Sequence, residues 1–197
     1  MALTTVKENE IVELMMKESG CMLEGHFELS SGVHTEIYFQ CAKLLQYPKN
    51  AEYAGSKLAD LISIDVDTIL SPAVGGIIIG YVVARSLNLK SLFVERKEGN
   101  LSLRRGFNLK PGEKVFIIED VITTAKSALE TAAIAKSFGA EVKGFGCILD
   151  RSNGSTGLDI KSLYQVSPVI YQPDDCPLCK AGIPIEKPGS KAKVLHN

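Results

Sequence analysis

Short apolar runs alternate along this chain with stretches whose apolar residues recur at helical spacing. Val6 to Glu18 places Ile11, Leu14 and Met15 near a 3.6-residue period, with Thr4 and Thr5 ahead as caps and Gly20 behind as a stop, which predicts a first helix. Cys21 to Leu29 and Ile37 to Leu45 read as extended pieces around the polar turn Ser30-Ser31-Gly32. Pro48 opens a helix through about Ile62, since proline suits the first helical turn. Asp67 to Leu70 predicts a short strand that runs into Ser71-Pro72-Ala73-Val74-Gly75-Gly76, with a helix through Leu87 after it. Ser91 to Glu95 predicts another strand, and the polar stretch Glu98 to Arg105, with Gly99 and Asn100, reads as a mobile loop. Pro111-Gly112 turns the chain into the apolar run Val115 to Ile118; a helix from Lys126 to Phe138 ends at Gly139, and Val142 to Leu149 predicts a further strand. Strands and helices in this alternation predict an α/β fold with a parallel sheet and right-handed crossovers. The last two dozen residues, rich in Pro, Gly and Lys, read as an extended tail.

The densest chemistry lies at 115–127, Val-Phe-Ile-Ile-Glu-Asp-Val-Ile-Thr-Thr-Ala-Lys-Ser. A strand buried on both faces reads as a continuous apolar run. Ligands of open α/β sheets bind at the carboxyl ends of such strands. Glu119 and Asp120 offer paired acceptors suited to a sugar diol. Thr123, Thr124, Ala125, Lys126 and Ser127 form a hydroxyl-rich turn into a helix, where N–H and O–H donors suit a phosphate. The alternative is an ordinary buried strand with two acids at its end.

Three other groups fit the same picture. Ala73, Val74 and Gly75 lie between a strand and a helix, where glycine lets backbone approach an anion; a plain tight turn would use glycine too. Arg96 and Lys97 end one strand, and Arg104 and Arg105 close the loop after it, so four cations flank one segment and could meet a departing diphosphate. The bland reading is a solvated basic loop. Arg151 follows the strand after the 126–138 helix, and its planar fork fits a carboxylate or imide edge. A surface pair with Asp150 is the alternative.

Composition narrows the field. The chain has 197 residues, 45% of them hydrophobic, which suits one α/β domain across 1–197. A formal net charge of −1 without a basic block excludes nucleic-acid binding by bulk electrostatics. No apolar run reaches membrane-span length, and Met1 to Glu10 holds acids where a signal peptide would be apolar, so a cytoplasmic protein is expected. The five cysteines are Cys21, Cys41, Cys147, Cys176 and Cys179, an odd and scattered set that argues against disulfides. Cys176 and Cys179 form a single C-x-x-C. A closed zinc site would need four ligands, which His26, His34, His196 or another subunit would have to complete. The expectation is a tail motif with no metal.

The 115–127 segment resembles, position by position, the signature of type I phosphoribosyltransferases, although many members have Gly where Ala125 stands. Phe27 to His34, Tyr38-Phe39-Gln40, the 71–76 loop, Glu95-Arg96-Lys97, Arg104 to Phe107 and Leu149-Asp150-Arg151 follow in the order of the orotate phosphoribosyltransferases, and Cys176 to Cys179 with Lys187 to Ser190 is similar to the tail of one bacterial branch. That resemblance implies a central parallel sheet flanked by helices. It also implies a small hood over the nucleobase site, built from about 1–45 and the tail from about 170 to 197. The implied reaction joins orotate to phosphoribosyl diphosphate with Mg²⁺, giving orotidine 5′-phosphate and diphosphate in pyrimidine nucleotide synthesis. Implied roles are Glu119 and Asp120 for the ribose, Thr123 to Ser127 for its 5-phosphate, and Ala73, Val74, Gly75, Arg96 and Lys97 for the diphosphate, with Val121 and Ile122 also among the phosphoribosyl-diphosphate-binding residues. Asp120, Arg96, Lys97, Arg104 and Arg105 are the implied catalytic set, and Thr123, Arg151, Ser30, Ser31 and Gly32 the orotate side.

The chain departs from the better-known branch at Ser30 and Gly75, where that branch has lysines, and within Glu98 to Leu103, which lacks its lysine and histidine. Arg104 or Arg105 stands in for the missing charge. In the family this loop reaches a neighbouring subunit's site, which implies a homodimer. The competing readings are a purine phosphoribosyltransferase and a non-catalytic nucleotide-sensing regulator on the same fold.

Overall fold

The structure, a computed structural model, describes residues 8–29, 31–167 and 169–188. The expected caps Thr4 and Thr5, the candidate Ser30 and the candidate ligand His196 lie outside the described residues. Helix α1 (Glu8–Glu18) leads into a hairpin of β1 (Met22–Glu28) and β2 (His34–Phe39), then α2 (Cys41–Leu45) and α3 (Pro48–Asp60). The sheet-forming part follows as β3 (Thr68–Pro72), α4 (Gly75–Leu87), β4 (Lys90–Lys97), β5 (Asn100–Leu103), β6 (Lys114–Ile122), α5 (Lys126–Ser137), β7 (Glu141–Asp150) and β8 (Ile160–Gln165). Strand β9 (Ile170–Tyr171) and the single turn α6 (Pro177–Lys180) lie in the tail.

Six strands form the main sheet in the order β5-β4-β3-β6-β7-β8, all parallel except β5. Strand β6 shows why its apolar run is unbroken. Phe116 and Ile118 enter one buried cluster with Leu58 of α3 and Ile79 of α4, whereas Val115 and Ile117 enter a second with Ala128, Ala132 and Ala135 of α5. Successive side chains of a strand face opposite ways, so a strand covered on both sides must be apolar at every position. The three alanines let α5 lie close on the sheet.

Chain order reverses at β3. Its crossover through α4 leads to β4 on one side, and β6 then pairs on the other. This is a topological switch point, where loops at the strands' carboxyl ends part and leave a crevice. The loops after β3 and β6, at 73–75 and 123–127, flank it.

Three expectations need correction. Glu98 to Arg105 forms the turn and second arm of a β-hairpin rather than an irregular loop. Glu98 and Gly99 both take positive φ (52° and 88°), the geometry of a two-residue hairpin turn, and the part-buried Leu101 and Leu103 pack on the second cluster. Ile37 to Leu45 is extended only to Phe39; Cys41, Leu44 and Leu45 of α2 are all buried, which gives that turn its helical face. The described part of the tail, to residue 188, is not extended throughout: it has a 3₁₀ turn and the helical turn α6, while β9 pairs with β2 in a separate three-stranded sheet of order β1-β2-β9 and Glu186 is bridged to Phe27 of β1. We call this small sheet the hood, since it is built from the segments expected to form one.

Candidate active site

Glu119 and Asp120 sit near the end of β6, both half-buried. Asp120 faces the start of α4. A Cβ on Gly75 would come within 2.5 Å of its carboxylate oxygen, so any side chain at 75 would displace the acid. The Ala73–Val74 peptide is cis, and the Ala73 N–H donates to Val94 O at 2.7 Å, which ties this loop to β4. Val74 is exposed.

Neither acid has a basic partner among the described ion pairs. Burial, and then the neighbouring Asp120 charge, push the Glu119 carboxyl up from 4.5 to about 7. Burial likewise raises Asp120, against backbone N–H donors from Val121 and itself. Such a site favours hydroxyl donors or a hard cation, which would stabilise the ionised forms. The raised Glu119 value also fixes the sign of a pH effect. Between pH 4.5 and about 7 the folded state holds a proton that the unfolded state has released, so stability falls as pH rises through that window and levels off above it. The shift corresponds to about 3 kcal/mol at most. Urea unfolding across this pH range should show the decline in the ligand-free protein, and Glu119→Gln should flatten it; an unaltered slope in the variant would assign the decline elsewhere.

The turn after β6 presents Thr123 and Thr124 to solvent and then bends at Ala125, whose φ is 56° and ψ 14°. Alanine therefore adopts the left-handed geometry for which glycine is the usual residue, at a cost of about 1–2 kcal/mol. Its methyl is buried among the α5 contacts. Ala125 caps α5 with no side-chain hydrogen bond, so the first N–H groups of the helix have no side-chain acceptor there. Lys126 is exposed and Ser127 half-buried on that first turn.

Arg151 lies one strand over. Its N–H donates to Ile122 O at 2.8 Å, and its guanidinium sits 5.9 Å from the centre of the Phe39 ring of β2. Its Nε is buried without a hydrogen-bond partner, and burial lowers its pKa. The alternative pairing with Asp150 does not form: the Asp150 carboxylate accepts the Ser152 N–H at 2.8 Å. Phe39 stood in the quoted sequence segment without a role; its contact with Arg151 joins residues 112 positions apart, which no local pattern reveals.

The remaining cations are engaged on the hairpin. Arg96 pairs with Glu130 of α5 at 2.6 Å and donates to Gly99 O. Lys97 lies 3.8 Å from Glu98. Arg104 and Arg105 share Glu95 at 3.6 and 3.0 Å, and Arg105 also lies over Phe93. None of the four pairs with Glu119 or Asp120. Ser31 is exposed and Gly32 sits at φ 84° in the β1–β2 turn of the hood. A cavity of about 490 Å³ opens beyond Asp150, but Asp150 and Asp159 line it with no basic residue, so it does not suit an anion.

The sequence model of the phosphoribosyl transferase domain matches residues 42–179. The orotate phosphoribosyltransferase of Thermotoga maritima is 47% identical over 184 residues, 92% of this chain and 98% of that protein. That of Desulforamulus reducens is 48% identical over 189 residues, 94% and 98% of the two chains. The crystal structure of the Aeropyrum pernix orotate phosphoribosyltransferase superposes with a TM-score of 0.66 at 21% identity, over 79% of this chain and 93% of that one, which speaks for the fold. Nearly half identical to these relatives over most of its length, and matched by the phosphoribosyl transferase domain across 42–179, the chain belongs to the orotate phosphoribosyltransferase family.

Proposed function

We propose that the chain transfers a 5-phosphoribosyl group from phosphoribosyl diphosphate to orotate, giving orotidine 5′-phosphate and diphosphate, a step of pyrimidine nucleotide synthesis. The observation that carries the orotate assignment is the buried, unpartnered Nε of Arg151, one strand from the acid pair. A buried donor without an acceptor is costly, and a planar carboxylate supplies the acceptor.

In this reading Glu119 and Asp120 accept hydrogen bonds from the ribose hydroxyls. The uncapped start of α5, with Thr123, Thr124, Lys126 and Ser127, holds the 5-phosphate. Ala73, Val74 and Gly75 approach the diphosphate through backbone. Arg96 and Lys97, with Arg104 or Arg105, meet the diphosphate as charge builds on it, after exchanging their carboxylate partners. Thr123 and Arg151, with Ser31 and Gly32 of the hood, orient orotate so that its N1 faces the anomeric carbon. No protein nucleophile is required; positioning and leaving-group stabilisation lower the barrier. The carboxyl oxygens of Glu119 and Asp120, desolvated and without basic partners, are donors of the kind a hard cation takes, and Mg²⁺ fits beside them. Bound there, mostly through substrate and water, Mg²⁺ would offset diphosphate charge. The family pattern supports a homodimer working in the cytoplasm.

The test mixes the protein with Mg²⁺, phosphoribosyl diphosphate and one base at a time, and follows diphosphate release. Release with orotate alone is expected. Release with adenine or guanine but not orotate would make it a purine enzyme, and no release with any base would make it a sensor.

A further inference from the structure

The two tail cysteines, expected to be metal-free, do not stand alone. His26 of β1, His34 of β2, Cys176 and Cys179 each offer one ligand atom, and the four atoms all lie within 4.8 Å of one another. His26 Nε2 is 3.0 Å from His34 Nδ1, 3.5 Å from Cys176 Sγ and 3.7 Å from Cys179 Sγ; Cys179 Sγ is 3.4 Å from His34 Nδ1. Tetrahedral zinc bound at its usual Zn–S and Zn–N lengths would separate sulfur from nitrogen by about 3.6 Å and the two nitrogens by about 3.3 Å. The three sulfur–nitrogen spacings bracket the first value, and the nitrogen–nitrogen spacing of 3.0 Å is short of the second by a few tenths of an ångström, within a small side-chain adjustment.

Lone-pair accounting points the same way. His26 Nδ1 is 2.8 Å from Ile183 O. A carbonyl only accepts, so Nδ1 carries the proton and Nε2 turns a lone pair inward. Three groups then converge on that single lone pair, His34 Nδ1 and both sulfurs. One lone pair serves one good hydrogen bond, so a purely hydrogen-bonded cluster leaves donors in conflict. A cation at the centre satisfies all four. The Nδ1–H to carbonyl bond is also the outer contact that commonly orients a metal-binding histidine.

Local structure brings the ligands together. The β1–β2 register shifts between Glu24 and Phe27, so His26 and Phe27 are both buried where a regular strand would alternate. Pro177 starts α6 just after Cys176, and one helical turn brings Cys179 back to the same face. Cys176 is fully buried, His26 and His34 nearly so, and Cys179 lies at the rim.

The tail needs such a fastening. Helix α6 has four residues, and neither it nor the 3₁₀ turn before it buries a side chain. A single turn without an apolar face does not hold itself in place. Backbone bonds flank it, from β9 to β2 and between Glu186 and both His26 and Glu28, but the turn itself is attached through Cys176 and Cys179.

We propose that His26, His34, Cys176 and Cys179 form a closed structural zinc site that fastens the C-terminal tail to the N-terminal hood. Two imidazoles and two thiolates with no open position suit zinc in a structural role. The site takes no part in phosphoribosyl transfer and stands independently of that assignment.

The whole chain, purified without chelator, should carry about one zinc per chain by elemental analysis. Replacing zinc by Co²⁺ should give the intense visible bands of tetrahedral cobalt and a thiolate-to-cobalt charge-transfer band. Cys179→Ser and His34→Ala should each lose most of the metal, and Cys179→Ser should weaken the charge-transfer band, while Cys21→Ala keeps both. In the unaltered protein, chelation should speed trypsin cleavage after Lys180 by about tenfold. The proposal fails if the unaltered protein takes up no zinc, if Cys179→Ser keeps its metal and cobalt spectrum, if cleavage ignores chelation, or if Cys176 and Cys179 are isolated from cells as a disulfide.

Discussion

Asp120→Ala should raise the phosphoribosyl diphosphate concentration needed for half-maximal rate by about 10- to 100-fold, the worth of one or two hydrogen bonds to a charged acceptor. The acid sits half-buried in the notch that Gly75 leaves, with burial holding its pKa up, so the folded protein keeps it at a cost in desolvation. Removing it should therefore leave thermal stability unchanged or slightly higher, the usual mark of a group retained for function. Initial-rate titrations and a melting curve on the same preparation separate the outcomes. An unchanged titration would remove Asp120 from the ribose site. A large loss of stability would make its role structural.

Arg151→Ala should weaken orotate by about 100-fold or more, because two charge-assisted bonds from the planar fork disappear together, while phosphoribosyl diphosphate shifts less than about threefold. Arg151→Lys should recover little, since an ammonium cannot present the fork that stacks on Phe39. Kinetics with each substrate varied in turn checks this. Equal losses for both substrates would mean that Arg151 supports the crevice as a whole and does not select the base.

Much of this architecture was legible residue by residue. The run from Val115 to Ile118 announced a strand covered on both faces, and Pro48 and Gly139 marked helix boundaries that the structure keeps to within a residue or two. The acid pair and the hydroxyl turn could be picked out as one candidate site because their chemistry is local, and the structure places both at the carboxyl end of β6. Strand β5 was hidden because Leu101 and Leu103 alternate with polar residues over only four positions, too short a pattern to outweigh the charge around it. Strand β8, Ile-Lys-Ser-Leu-Tyr-Gln, is an edge strand with one buried residue, Leu163, and carries little periodic signal. The His–Cys cluster joins strands near position 30 to a turn near 177. Spacing within C-x-x-C is readable, but the partner across about 150 residues is set by how β9 and Glu186 frame the hood.

The hairpin's ion pairs have a consequence for how the resting protein waits. Glu130 and Glu95 occupy the guanidinium groups of Arg96, Arg104 and Arg105 at the exposed sheet edge. Exposed pairs of this sort are worth about 0–1 kcal/mol each. If these cations meet the diphosphate as proposed, the carboxylates would act as placeholders: they keep the positive charges aimed and apart, and would surrender them to a stronger polyanion at almost no expense.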